Sequence, residues 1–280
     1  MPTVALHPSR AVWLGLLLLA IFVVSALHAW VSPASAATSP KTKLTALHAG
    51  ISYQGGQGTM PVWTDIRVSI TRNGEAVLTK AALPTAVSKS FYKAPLLQVF
   101  DFDDDAEPEV MIDVATIGGD CCKRSVIYHH TATGYDSTVV DWGTATYTLK
   151  NVVGGVGPEF VTTDPRLPEA FKSKATGPLR ILQFDHGALS DVTAKAKALV
   201  TRDARKQKRA WKKAHGASAR APLAAYVVDL IRLRKPAVAK AAIRTAAKKK
   251  QLAGASASSF AKSLDTRAVR FGYFKRAMLG

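Results

Sequence analysis

Apolar and polar residues alternate in short runs from about Leu44 to Asp191, which is the pattern of β-strands with one buried face. Gly, Pro and Asn-Gly steps separate these runs, as in antiparallel sheets whose strands are joined by tight turns. The clearest turn signal is Asn73-Gly74, which lies between two short strand patterns. We therefore predict that this part of the chain forms an antiparallel β region.

After Thr193 the pattern changes, and apolar residues recur at helical spacing in segments rich in Ala, Lys and Arg. The helix-breaking residues between these segments are Gly216, Pro222, Pro236 and Gly254. The side chains predicted to be buried are Leu199, Trp211, Leu223, Val227, Leu230, Ile231, Leu233, Ile243, Leu252, Phe260, Leu264, Val269 and Phe271. The predicted fold class is α+β, with an antiparallel sheet region followed by a small C-terminal module of four helices.

The N-terminal segment has the features of an export signal. Arg10 precedes an uncharged, Leu-rich run over residues 11–30, and Ala34 and Ala36 form a small-residue site after it. Together these features predict a secretory signal peptide over residues 1–36. The same apolar run is long enough to be an uncleaved membrane anchor, which is the alternative. Both interpretations place the rest of the chain outside the cytoplasm.

Charge divides the chain into two parts. Residues 1–192 hold 15 Lys and Arg against 17 Asp and Glu, whereas residues 193–280 hold 23 against 3. This shift predicts a β domain over residues 37–192 and a basic helical domain over residues 193–280. The basic helices could attract an anionic cell-surface polymer, lipid headgroups or extracellular nucleic acid, or could act only as a solubilising surface. No motif predicts a specific nucleic-acid partner.

Six acidic side chains fall within nine residues between two predicted strands. They are Asp101, Asp103, Asp104, Asp105, Glu107 and Glu109. Carboxylates this close repel one another, so a folded chain tolerates them only when they are solvated or neutralised by a cation. Asp101, Asp103 and Asp105 occupy alternate positions, and Glu109 follows at the ninth, so these side chains can converge with the backbone carbonyl of Glu107 on one Ca²⁺. A solvated acidic turn is the alternative.

The segment FDFDDDAEPEVMID resembles the calcium loop of bacterial VCBS repeats, which are related to the FG-GAP repeats of the integrin α-subunit head. In that family the loop joins the first two strands of a β-propeller blade. The resemblance implies calcium ligands at Asp101, Asp103, Asp105 and Glu109. Ala106 departs from the family, which usually has Gly there for a left-handed turn.

A degenerate second copy of this segment follows fifty residues later, in NVVGGVGPEFVTTD. It keeps Pro158-Glu159 at the positions of Pro108-Glu109, while Asn151, Val153 and Gly155 replace the three aspartates. A repeat of this length suits a propeller blade. Because a propeller typically needs four to eight blades, the resemblance implies an incomplete, blade-like sheet whose exposed edge or face the helices cover.

Cys121 and Cys122 are adjacent and are the only cysteines in the chain. In an oxidising compartment two thiols rarely stay free, which makes a vicinal disulfide a candidate. Adjacent Cα atoms are roughly 3.8 Å apart, below the usual disulfide range of about 4.4–6.8 Å, so such a bond would be strained. Two buried thiols that fill a gap are the alternative.

The chain shows no catalytic motif of the hydrolase, metalloprotease or nucleotide-binding kinds. We therefore predict a secreted or surface-associated, non-catalytic protein that binds Ca²⁺ and presents a face to an extracellular protein or glycan. Two alternatives stay open. One is an accessory part of an extracellular hydrolase, and the other is a polyanion-binding protein that acts through its basic helices.

Overall fold

The computed structural model describes residues 47–55, 62–85, 87, 90–91, 95–115, 123–154 and 157–279. The predicted signal peptide, its membrane-anchor alternative and Cys121-Cys122 lie outside these residues. The sheets and the helices belong to one compact unit that spans residues 43–280. The structure has mixed α and β content, as predicted, and none of its three described sheets closes into a barrel.

The first sheet is antiparallel and has four strands in the order β1-β2-β3, with β4 also paired to β2. Its strands are β1 (Leu47–Gly55), β2 (Trp63–Arg72), β3 (Glu75–Ala82) and β4 (Ser90–Phe91). The β2–β3 hairpin turns at Asn73 and Gly74, whose φ values of 49° and 89° are both positive. Positive φ at both central residues is the geometry of a type I′ turn, so the predicted hairpin is confirmed.

The second and third sheets are four-stranded antiparallel meanders, each with its strands in chain order. The second contains β5 (Leu96–Phe100), β6 (Glu109–Ala115), β7 (Lys123–Thr131) and β8 (Gly134–Gly143). The third contains β9 (Thr148–Lys150), β10 (Glu159–Thr163), β11 (Leu179–Asp185) and β12 (Ala188–Asp191). A short helix that the sequence did not predict, α1 (Arg166–Glu169), lies between β10 and β11.

The three sheets stack face to face in chain order, because the middle sheet is apolar on both faces. One cluster joins the first and second sheets through Ile66, Val68, Ile70, Val110, Ile112 and Val126. Another joins the second and third sheets through Phe102, Met111, Ile127, Trp142, Phe160, Leu182 and Phe184. Strand β6 contributes to both clusters, and six of its seven residues are buried. This strand therefore forms the centre of the β region.

The four predicted helices are present. They are α2 (Lys197–Lys213), α3 (Arg220–Arg232), α4 (Pro236–Lys248) and α5 (Ala257–Arg270), with short 3₁₀ turns at Thr193–Lys195 and Gly216–Ala219. The predicted burial of Val269 is wrong, because its side chain is 40% exposed. The inward stripe of α5 ends at Ala268, and the next residue is rotated by about 100°. None of the described helices is long and apolar enough to cross a membrane.

The helices cover the outer face of the third sheet. Ile181 of β11 packs with Val192 and Ala196, and Leu199 of α2 packs against the same cluster. Polar contacts fix this junction, since the backbone N–H of Leu179 donates a 2.9 Å hydrogen bond to Asp203 of α2. A sheet face is thus covered by the helical module, as predicted.

Candidate metal centre

The acidic loop joins β5 to β6 and is folded by its own carboxylates. Asp101 accepts hydrogen bonds from the backbone N–H groups of Asp105 (3.2 Å) and Ala106 (3.0 Å). Asp105 in turn accepts one from the N–H of Glu107 at 2.8 Å. Asp104 and Ala106 have φ values of 58° and 70°. The left-handed turn that the resemblance implies at Ala106 is therefore present, with an Ala where Gly is favoured.

Asp103 and Glu109 form the buried side of the loop. Glu109 is 2% exposed and accepts a 2.8 Å hydrogen bond from the N–H of Phe102. The Asp103 side chain is 4% exposed, and its Oδ2 accepts a 2.7 Å hydrogen bond from the N–H of His186. Its Oδ1 is buried and has no hydrogen-bond partner among the described residues. Burying a carboxylate oxygen without a hydrogen-bond partner costs free energy. A bound cation or a proton at this atom would remove that cost.

The structure brings the predicted ligands together in two overlapping groups. Carboxylate oxygens of Asp101, Asp103 and Glu109 lie within 4.8 Å of one another. Ligand atoms of Asp103, Asp105 and His186 form a second group within the same distance. Burial, together with the charge of Asp103, raises the pKa of Glu109 to about 8. Burial also raises the pKa of Asp103. These shifts show that the site disfavours uncompensated negative charge.

Glu107 was predicted to contribute its backbone carbonyl. Its side chain forms a two-pronged ion pair with Arg72 of β2, with Nε–Oε2 and Nη2–Oε1 distances of 3.1 Å and 2.5 Å. This pair connects the loop to the first sheet and leaves the Glu107 carboxylate outside both ligand groups. The contribution of the carbonyl stays a prediction.

Sequence reasoning missed His186. It lies in the β11–β12 turn with a φ of 45°, followed by Gly187 at 83°. Its ring Nδ1 is 2.6 Å from Asp185, and its Nε2 is 3.8 Å from Asp105. The hydrogen bond to Asp185 and the charge of Asp103 raise the pKa of His186. The only local signal was the two-residue His-Gly turn, which predicts a hairpin without showing what the turn contacts.

The donor set fits Ca²⁺. Asp101, Asp103, Asp105 and Glu109 all supply hard carboxylate oxygens, and Ca²⁺ takes six to eight such ligands. The partnerless Oδ1 of Asp103 lies within this set. Three of the four predicted side chains share one ligand group, and Asp105 joins them through Asp103. Their placement agrees with the sequence prediction, while the ion itself stays a prediction.

The second copy of the loop keeps the scaffold without the acidic ligands. Glu159 is fully buried and accepts a 2.7 Å hydrogen bond from the N–H of Val152, seven residues earlier. Glu109 makes the same contact with the N–H of Phe102, also seven residues earlier. The two loops touch, because a Cβ added at Gly157 would lie 1.7 Å from the carbonyl oxygen of Phe102. The fifty-residue repeat is therefore a repeat of hydrogen bonding as well as of sequence.

A groove of about 600 Å³ lies beside β5 and β9 at the end of the second sheet away from the acidic loop. On its floor, Asp113 accepts hydrogen bonds from the hydroxyls of Tyr147 (2.6 Å) and Ser125. Trp142 donates a 2.7 Å hydrogen bond to Ser125, and its ring lies 4.7 Å from that of Tyr147. Burial raises the pKa of Asp113. The size and the mixed lining suit a small ligand, and sequence reasoning did not identify this groove.

Comparisons of the chain with protein-family models, curated proteins and solved structures found no match. The resemblance to VCBS and FG-GAP repeats therefore stays a prediction that rests on the loop sequence and its repeat.

Proposed function

We propose that the chain is a secreted or surface-associated, non-catalytic repeat protein whose β region is stabilised by one Ca²⁺ in the acidic loop. The observation that carries this proposal is the buried Oδ1 of Asp103, which lacks a partner among the described residues while carboxylates of Asp101 and Glu109 lie beside it. A cation there neutralises the repulsion and supplies the missing partner. The carboxylates then act as structural ligands and not as a catalytic set.

The incomplete propeller is part of this proposal. Two successive four-stranded meanders stack face to face, and each carries a loop between its first two strands with the same buried Glu contact. Repetition of one unit along the chain, with each unit packed on the next, is how propeller blades are built. The helices on the third sheet would then cover the face on which the next blade would pack.

The proposed ligand face is the edge of the second sheet that β5 forms. On β5, Leu96, Val99 and Phe100 are 56%, 41% and 44% exposed. The groove floored by Trp142 and Tyr147 lies directly beside this edge. Exposed apolar side chains next to aromatic rings and hydrogen-bonding groups suit a protein segment or a glycan.

Thermal unfolding with added calcium tests the proposal. A ligand that binds only the folded state stabilises it by RT ln(1 + [L]/Kd), which is about 2.7 kcal/mol at one hundred times Kd. Because extracellular sites can have a Kd of about 10⁻⁴–10⁻³ M, the titration has to reach millimolar Ca²⁺. The melting temperature should rise with Ca²⁺ and fall with a chelator. An unchanged melting temperature in a folded protein would mean that the loop is a solvated acidic turn.

A further inference from the structure

The surface of the helical module carries positive charge without acidic neighbours. Residues 193–280 contain 23 Lys and Arg but only three acidic residues. All three are buried: Asp203 is 9% exposed, Asp229 is fully buried and Asp265 is 4% exposed. The described surface of this module therefore presents no acidic side chain. Ordinary protein surfaces intersperse both signs of charge.

The three acidic side chains make their contacts inside the module. Asp203 accepts a hydrogen bond from the backbone N–H of Leu179 at the sheet junction. Asp265 accepts one from the backbone N–H of Leu279. Asp229 lies 3.9 Å from Arg232. All three carboxylates lie inside the module, so none of them is placed to neutralise the outward cations.

The charge is most ordered on α2. Arg202, Lys206, Arg209 and Lys213 are all exposed, and no acidic side chain among the described residues pairs with them. At about 100° per residue these four side chains fall in a stripe about 60° wide. At 1.5 Å per residue the stripe is about 16 Å long. The flanking cations Arg205, Lys208 and Lys212 are exposed as well.

This arrangement opposes helix stability. Arg202 with Lys206 and Arg209 with Lys213 are like-charge pairs at i,i+4 spacing, which destabilise a helix. The opposite face of α2 packs against the rest of the protein, since Val200, Ala204 and Trp211 are buried. The stripe therefore contributes nothing to packing and is available for an external anion.

The side chains on the exposed face of α2 indicate which class of anionic partner it can bind. Insertion into a bilayer needs an exposed apolar face, and the apolar side of α2 is buried. Base stacking on a nucleic acid needs an exposed aromatic ring, and Trp211 of α2 is 6% exposed. A band of exposed cations along one side of the helix instead matches a linear chain of phosphates that is bound through charge alone.

We propose that the stripe Arg202, Lys206, Arg209 and Lys213 binds a linear phosphate-bearing polymer of the cell envelope. The site lies on the helices and is independent of the calcium loop, so either proposal can fail without the other. Only the envelope location rests on the proposed export. Binding should need no divalent cation and should weaken steeply as salt rises, because counterions are released from the polymer.

The test measures binding of the full chain to a lipid-free poly(glycerol phosphate) over a series of salt concentrations. The stripe variant R202Q/K206Q/R209Q/K213Q is compared with R244Q/K248Q/K249Q/R270Q, which removes the same number of exposed Arg and Lys elsewhere in the module. The stripe variant should bind at least about tenfold more weakly at low salt, and the slope of log K against log salt should fall by about 3. The control variant should change affinity by less than about threefold.

Melting curves should show both variants folded, with the stripe variant at least as stable as the parent because like-charge pairs are removed. Equal losses in the two variants would overturn the proposal in favour of net charge alone. Tighter binding to single-stranded DNA of equal phosphate number would overturn it in favour of a nucleic acid. Tighter binding to phosphatidylglycerol vesicles, lost in the stripe variant, would overturn it in favour of a membrane surface.

Discussion

The backbone N–H of His186 donates a 2.7 Å hydrogen bond to the carboxylate of Asp103, although the two residues are 83 positions apart in the chain. Asp103 lies in the loop of the second sheet, and His186 lies in a turn of the third. A cation held by Asp103 would therefore strengthen the contact between two sheets as well as one loop. This geometry makes Asp103 the residue on which calcium-dependent stability should depend most.

The first prediction compares two neighbouring aspartates. Asp103→Asn should remove most of the calcium-induced rise in melting temperature, because it takes away the charge of a buried ligand. Asp104→Asn is the matched control, since Asp104 is exposed and Asn tolerates its left-handed backbone. The measurement is the melting temperature in millimolar Ca²⁺ and in chelator. Equal calcium responses in the two variants would contradict the proposed role of Asp103.

The second prediction concerns backbone strain at Ala106, whose φ is 70°. A left-handed conformation costs an L-residue roughly 1–2 kcal/mol, and Gly largely avoids this cost. Ala106→Gly should therefore raise the free energy of unfolding by about 0.5–1 kcal/mol, measured by urea denaturation in calcium. Ala145→Gly, in a loop position that is not left-handed, should lower it instead. A loss of stability in Ala106→Gly would rule out strain as the cost of Ala at this position.

The third prediction tests the contact between the two copies of the loop. A Cβ at Gly157 would lie 1.7 Å from the carbonyl oxygen of Phe102, so Gly157→Ala must displace backbone. We expect the free energy of unfolding to fall by about 1–3 kcal/mol and the calcium response to shrink, because Phe102 is next to Asp103. Gly50→Ala is the control, since nothing lies within 4 Å of its added Cβ. Gly157→Ala with the stability and calcium response of the parent would show that the two loops are not coupled.

Short-range sequence patterns correctly predicted the turns, strands and helices that neighbouring residues determine. The Asn73-Gly74 turn, the strands on either side of the acidic loop and the four long helices all follow from short-range patterns and are present. Strand β9 has three residues and α1 has four, which is too short for a period to show. Such elements form because the surrounding sheets hold them in place.

The residues of the candidate site also fall into those that the sequence predicted and those that only the folded chain brings together. Asp101, Asp103, Asp105 and Glu109 could be predicted because they lie in one short loop. His186 could not, because its contact with Asp103 depends on how two sheets stack. The groove on Asp113 and Tyr147 was missed for the same reason, since β6 and the β8–β9 loop meet only in the folded chain. Long-range packing therefore determined what sequence reasoning left out.

The last prediction concerns Asp229 of α3, which is fully buried. Neither of its carboxylate oxygens has a hydrogen-bond partner among the described residues. Burial, together with the charge of Asp203, raises its pKa to about 9. In the unfolded chain an Asp has a pKa of about 3.9. Between these two values the folded state keeps a proton that the unfolded state releases, so stability should fall as pH rises.

Asp229→Asn removes this proton linkage, because an amide does not ionise in the range. Between pH 6 and pH 8 one such group lowers the free energy of unfolding by at most about 2.7 kcal/mol, or 1.36 kcal/mol per pH unit. We therefore expect Asp229→Asn to be more stable than the parent at pH 8, with the difference shrinking towards pH 4. Asp136→Asn, at an exposed position of β8, is the control and should change the free energy of unfolding at pH 8 by less than about 0.5 kcal/mol. If urea denaturation gives Asp229→Asn and the parent the same pH dependence, Asp229 is not held protonated in the folded chain.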